Sequence, residues 1–146
     1  MPRFPVRSGG LELHRPTHPG AFFDVVGRRA ALFGYENRTA EAWVYPLEVL
    51  DALSLSFRLE GYPLEIDGRD VMASIEVRPE ATTLVYAHAA FTIRQIMVAP
   101  LDEPGVIILL DVDSRLPIAV TASSSRRPAF HAGEAGITCI ARTSSP

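Results

Sequence analysis

Between residues 53 and 61 the chain reads Leu-Ser-Leu-Ser-Phe-Arg-Leu-Glu-Gly, with apolar and polar residues alternating at period two. Successive side chains of a strand point to opposite faces, so this pattern predicts a strand with one buried and one wet face. Leu53, Leu55, Phe57 and Leu59 fall on the inward side, and Ser54, Ser56 and Arg58 on the outward side. Weaker alternation recurs at 22–26, 30–35, 41–45, 73–78 and 118–122. Residues 82–90 and 91–99 read as two strands or one long bent strand. Residues 106–110 are apolar at every position, the pattern of a central strand buried on both faces. Residues 46–52 leave the period open between a helical turn and an irregular crossover.

Turn chemistry separates these segments. Gly27-Arg28-Arg29, the polar run 36–39, Asp67-Gly68 within 62–68, Pro79-Glu80, Pro104-Gly105 and the stretch 111–117 all read as turns. Strands spaced by roughly 8–12 residues with turns between them predict an all-β sandwich or barrel. The ends differ from this middle. Residues 1–20 carry four prolines and three glycines, which predicts an extended segment with one short edge strand at 11–13. Residues 124–146 lose the alternation and predict an irregular tail, with 137–141 its one strand-like piece. The expected organisation is therefore an N-terminal segment 1–20, a sandwich domain 21–123 and a tail 124–146.

Composition narrows the function classes. A chain of 146 residues with 47% apolar residues can bury a genuine core. The net charge is only −3, so no basic field for nucleic acid is implied. All 14 basic residues are arginine, and they are scattered. Cys139 is the one cysteine, which excludes an internal disulfide. His14 and His18 have helical metal-ligand spacing, but Pro16 lies between them and opposes a helix, so no metal is expected. No stretch reaches the ~20 apolar residues of a membrane-spanning helix. The first residues lack the apolar core of a signal peptide. A cytoplasmic location is the expectation, unless the true start lies upstream.

Four segments have distinctive wording: Gly20-Ala-Phe-Phe-Asp-Val-Val-Gly27, Glu41-Ala-Trp-Val-Tyr-Pro-Leu47, Pro79-Glu-Ala-Thr-Thr83, and the run from Asp102 to Asp113, Asp-Glu-Pro-Gly-Val-Ile-Ile-Leu-Leu-Asp-Val-Asp. In this order and spacing the stretch 11–123 resembles the N-terminal region of bacterial glycogen-debranching-like proteins of the amylo-α-1,6-glucosidase type. The resemblance implies an antiparallel β-sandwich that precedes a six-hairpin (α/α)6 barrel, with the catalytic carboxylates on the barrel. It also implies further strands after residue 123, so the sandwich is expected to be incomplete, with an unprotected edge near 118–122 and a tendency to self-associate.

The residues themselves offer little catalytic chemistry. Glycoside hydrolysis needs two carboxyl groups about 5–9.5 Å apart across the scissile bond. Glu36, Glu41, Glu48, Glu60, Glu65, Asp67 and Asp70 are candidates by number only, and Asp111 and Asp113 share a strand face near a turn. No catalytic residue is assigned, and no cofactor is expected. Trp43 and Tyr45 share a strand face, with Tyr35 and Tyr62 as candidate neighbours. Trp43, Tyr45 and Tyr35 are the candidates for contact with a glucan or oligosaccharide, because an aromatic ring offers an apolar face together with a polar handle. A core or domain-interface role is the competing expectation. Ser123, Ser124, Ser125 and His131 lack the acidic third member of a triad and read as flexible polar tail. Two function classes follow: a non-catalytic sandwich domain supporting an absent barrel, and a free-standing carbohydrate-binding module. An active hydrolase is a third and weaker class.

Overall fold

In a computed structural model, residues 10–125 and 141–143 are described. They form two antiparallel sheets packed face to face, the sandwich expected from the sequence. One sheet runs β1 (Leu13–Pro16), β7 (Met72–Arg78), β8 (Ala81–His88), β9 (Phe91–Val98), β10 (Ile107–Ser114) and β12 (Ala141–Thr143) in spatial order. The other runs β11 (Ile118–Ser125), β5 (Leu47–Leu59), β4 (Ala40–Val44), β3 (Ala30–Tyr35) and β2 (Phe22–Val26), with β6 (Ile66–Asp67) paired to β5. The one parallel contact joins β12 to β10. A single helical turn, α1 (Gly68–Val71), follows β6, and the Asp67 carboxylate caps it by accepting the Arg69 amide at 2.9 Å.

Alternation sets the core. Leu55, Phe57 and Leu59 of β5 are buried, while Arg58 is exposed, as the pattern predicts. Phe57 stands at the centre, with ring centroids 5.3 Å from Tyr86 and 5.2 Å from Phe91 across the sandwich. Ile75, Leu84, Ile93 and Met97 line the facing sheet. Polar groups within the sandwich are paired: the Tyr86 hydroxyl donates to Gln95 Oε1 at 2.6 Å, and the Thr82 hydroxyl donates to the Asp24 carbonyl at 3.1 Å. Burial raises the Tyr86 phenol well above its usual range.

Several local expectations need correction. Residues 46–52 are neither a helical turn nor a crossover, because β5 already begins at Leu47. Between Ala40↔Leu53 and Ala42↔Leu50, β4 spends one residue and β5 two, so β5 bulges at Asp51 and Ala52. Ala52 takes φ 52°, and the bulge breaks the period that alternation depends on. The N-terminal edge strand lies at Leu13–Pro16 rather than 11–13. Segment 62–68 holds β6, and Asp67-Gly68, expected as a turn, is instead the cap and first residue of α1. Residues 82–90 and 91–99 resolve into two strands, β8 and β9.

The largest correction concerns 106–110. From Ile107 it belongs to β10, which among the described residues is second from the end of its sheet, with the three-residue β12 beyond it. Its inward residues Ile108 and Leu110 are half-buried, and its outward residues Ile107 and Leu109 are 47% and 37% exposed. The strand is therefore not covered on both faces. Asp111–Ser114 continues β10 instead of turning. At the C-terminal end, strand structure persists through Ser125, and Ala141 opens β12. His131, Cys139 and most of the expected strand-like piece at 137–141 lie outside the described residues.

Candidate functional site

The outer face of β2, β3 and β4 carries Tyr35 and Trp43 of the candidate residues. The β2–β3 hairpin turns at Gly27–Arg29 and pairs Phe22 with Tyr35 and Asp24 with Phe33. Gly27 is required at that turn, because a Cβ there would lie 2.4 Å from the Pro100 carbonyl oxygen. Phe23, Val25 and Leu32 point into the core. By alternation Phe22, Asp24, Val26, Ala31, Phe33 and Tyr35 point outward. Phe22 packs on Phe33 with centroids 6.2 Å apart and planes 23° apart, and meets Tyr35 edge-on at 5.6 Å. Phe22 is 53% and Tyr35 49% exposed, so this is an aromatic surface rather than core.

Trp43 and Glu41 continue the same face on β4, opposite Ala31 and Phe33. The Trp43 indole is half-buried and donates from Nε1 to Glu41 Oε1 at 3.1 Å. Ala31, on the outward side yet fully buried, sits directly across from it. Glu48 of β5 pairs with Trp43 across the next strand. Single oxygens of Glu41, Glu48 and Asp51 lie within 4.8 Å of one another. Such acidic groups are common on sheet faces, and this trio alone assigns no ion.

The three aromatic candidates do not form one platform. Tyr45 is exposed just past β4, where the cis Tyr45-Pro46 bond makes the turn into β5. Tyr35 lies at the other end of the β3–β4 ladder. Tyr62 follows the far end of β5, away from this turn. What sequence reasoning missed is the pairing of Tyr35 with Phe22 and Phe33. The sequence signal pointed one residue off: a three-residue turn at 27–29 would bring Phe22 opposite Gly34, whereas the Gly27 amide donates to the Ala30 carbonyl at 2.8 Å, the turn tightens to Arg28-Arg29, and Phe22 falls opposite Tyr35.

Other titratable groups serve structure. Glu36 is fully buried at the end of β3 and accepts from Arg15 Nη1 at 2.9 Å, Arg15 Nη2 at 2.5 Å and the His18 amide at 2.6 Å. Burial pushes the Glu36 carboxyl up, but the Arg15 and His18 hydrogen bonds and charges outweigh it and hold the group below its usual range. Arg15 also lies 3.0 Å from His18 Nδ1. The arrangement ties β1 and the segment after it to the β3–β4 turn, where Asn37 takes φ 57° and donates to the Arg69 carbonyl at 2.8 Å. Asp111 faces Arg94 at 3.6 Å on the outer surface of the other sheet, and Arg78 bonds Glu12 at 3.1 Å nearby.

No helix among the described residues is long and apolar enough to cross a membrane. Comparison with protein-family models, curated proteins and solved structures returned no match. The fold and the site therefore define an antiparallel β-sandwich carrying an aromatic and acidic outer face.

Proposed function

We propose that this chain is a non-catalytic β-sandwich domain of a glycoside hydrolase or glycogen-debranching type of protein, and that its role is to support an (α/α)6 catalytic barrel. The observation that carries the proposal is β10. Its sequence has the pattern of a strand covered on both faces, yet Ile107 and Leu109 stand exposed on the outer side. A strand of that composition calls for further protein against it, and the wording of four segments supplies the kind of protein. Those segments fall on β2, on β4 and its turn, on the β7–β8 turn, and on β10. The segment around Gly27 and the one opening at Asp102 also meet in space. The Arg28 amide donates to the Leu101 carbonyl at 3.1 Å, and Arg28 pairs with Asp102 at 2.9 Å.

The test has two parts. The purified chain should show no turnover of maltooligosaccharides or branched glucans. Supplied with a separately expressed barrel of a debranching-type protein, it should form a complex, and Leu109→Asp should weaken that complex. Turnover that vanishes when one of this chain's own carboxylates is changed would overturn the reading, and so would failure to bind the barrel.

The outer face of β2–β4 favours a second reading, a free-standing carbohydrate-binding module. Phe22, Phe33 and Tyr35 present apolar ring surface, and the Glu41 group presents acceptors for sugar hydroxyls. Trp43 is the single tryptophan of the chain, so its fluorescence reports this face directly. A saturable change on titration with maltooligosaccharides, abolished by Tyr35→Ala, supports this second reading. An unchanged spectrum removes it.

A further inference from the structure

We infer that β11 is a self-pairing edge, through which two copies of this chain join their β5-containing sheets into one continuous sheet about a two-fold axis. This goes beyond the barrel-supporting role and concerns the other sheet. The outer edge of β11 has no strand partner among the described residues. In an antiparallel strand, alternate backbone N–H and C=O groups point away from the one neighbour it has. What satisfies such a row is another extended strand.

The other sheet ends are guarded. β1 is four residues long and carries His14, Arg15 and Pro16. β2 leans on the opposite sheet, where Thr82 donates to its Asp24 carbonyl. β12 is only three residues long. β11 has none of these devices. It is eight residues long, Ile-Ala-Val-Thr-Ala-Ser-Ser-Ser, without charge or proline. It stays in unbroken register with β5 from Ile118↔Leu59 to Ser123↔Ser54, and shifts only before Ser125. Its inward side chains are incompletely covered: Ile118 and Val120 are half-buried and Ala122 is exposed.

A second copy fits this edge for two reasons. An uncharged strand meets no like-charge repulsion from its twin. A two-fold axis normal to the sheet also keeps both inner faces on the same side only if paired residues have the same parity. An axis through Val120 satisfies this. Ile118 of one copy then lies opposite Ala122 of the other, Val120 opposite Val120, and Ala119 opposite Thr121. The half-covered apolar side chains of both copies join one inner surface, and the contact is closed and isologous.

Sedimentation of the full chain with rising concentration tests this. The expected result is a monomer–dimer equilibrium without larger species. Thr121→Lys, on the exposed outward side of the edge, should raise the dissociation constant at least about tenfold and leave the melting temperature of the dilute protein unchanged. If that variant melts lower, Ala119→Lys, which faces the same way, takes its place. In a Cys139→Ser background, Val120→Cys should form an intermolecular disulfide on mild oxidation, because the axis places the two residues together. A monomer at all concentrations, a dimer indifferent to the lysine, growth beyond the dimer, or no cross-link at 120 would each overturn the inference.

Discussion

The two ends of the β5-containing sheet are built differently. At β2 the sandwich is closed. Phe23 and Val25 are buried, Thr82 reaches across to the Asp24 carbonyl, Gly27 sits against Pro100, and the Glu36–Arg15 pair fastens the chain before β2. At β11 it is open. Ile118 and Val120 are only half-covered. Both ends carry apolar residues on the inward side, Phe23 and Val25 on β2 and Ile118 and Val120 on β11, although β11 runs out into Ser-Ser-Ser. The difference lies in tertiary partners: Thr82 of the opposite sheet hydrogen-bonds the backbone of one edge strand, and the described residues place no such bond on β11.

Substitutions sharpen this comparison, beginning with the part common to both ends. Phe57→Ala should destabilise the protein by about 4 kcal/mol, because the residue is fully buried and touches both Tyr86 and Phe91. A chemical denaturation midpoint that barely moves would show that the core is not shared.

Glu36→Ala should follow, at about 3 kcal/mol, since it removes one partner of an ion pair whose carboxylate is fully buried. Its pH dependence has a definite sign. The folded carboxyl lies below the unfolded value, so its contribution is present above the unfolded value and is lost as pH falls through the folded one. Melting temperatures measured from neutral pH into acid should therefore fall less steeply for Glu36→Gln than for the parent chain. Parallel curves would remove the pair from the account.

A matched pair of valines compares the two ends directly. Val25→Ala on the closed side should cost about 2 kcal/mol. Val120→Ala on the open side should cost about 1 kcal/mol or less in dilute protein, because its methyl groups are only half out of water. Equal costs in denaturation experiments would mean the two ends are equally packed.

The fold was legible where one device acted at a time. The 53–59 alternation and the Pro79-Glu80 turn each set a strand or a register that the structure keeps, and the turn expected at 27–29 is in place but one residue tighter. The failures have physical causes. The bulge at Asp51 and Ala52 adds a residue and destroys the period that alternation depends on, which hid the first half of β5. An all-apolar run such as 106–110 reports what a strand could be packed against, and β10 lacks that cover on its outer face. The aromatic site was half legible. Tyr35 was singled out, but its neighbours Phe22 and Phe33 follow from register rather than from proximity in sequence.

Amide hydrogen exchange along β2 and β11, read at low and high protein concentration, tests the closed and open ends most directly. The account predicts that exchange in β2, slow for the amides that face β3, is the same at both concentrations. In 118–123 it predicts that the amides facing away from β5 exchange fast in dilute protein and slow down as concentration rises. A concentration-dependent slowing in β2, or fast exchange in 118–123 that concentration leaves unchanged, would contradict it.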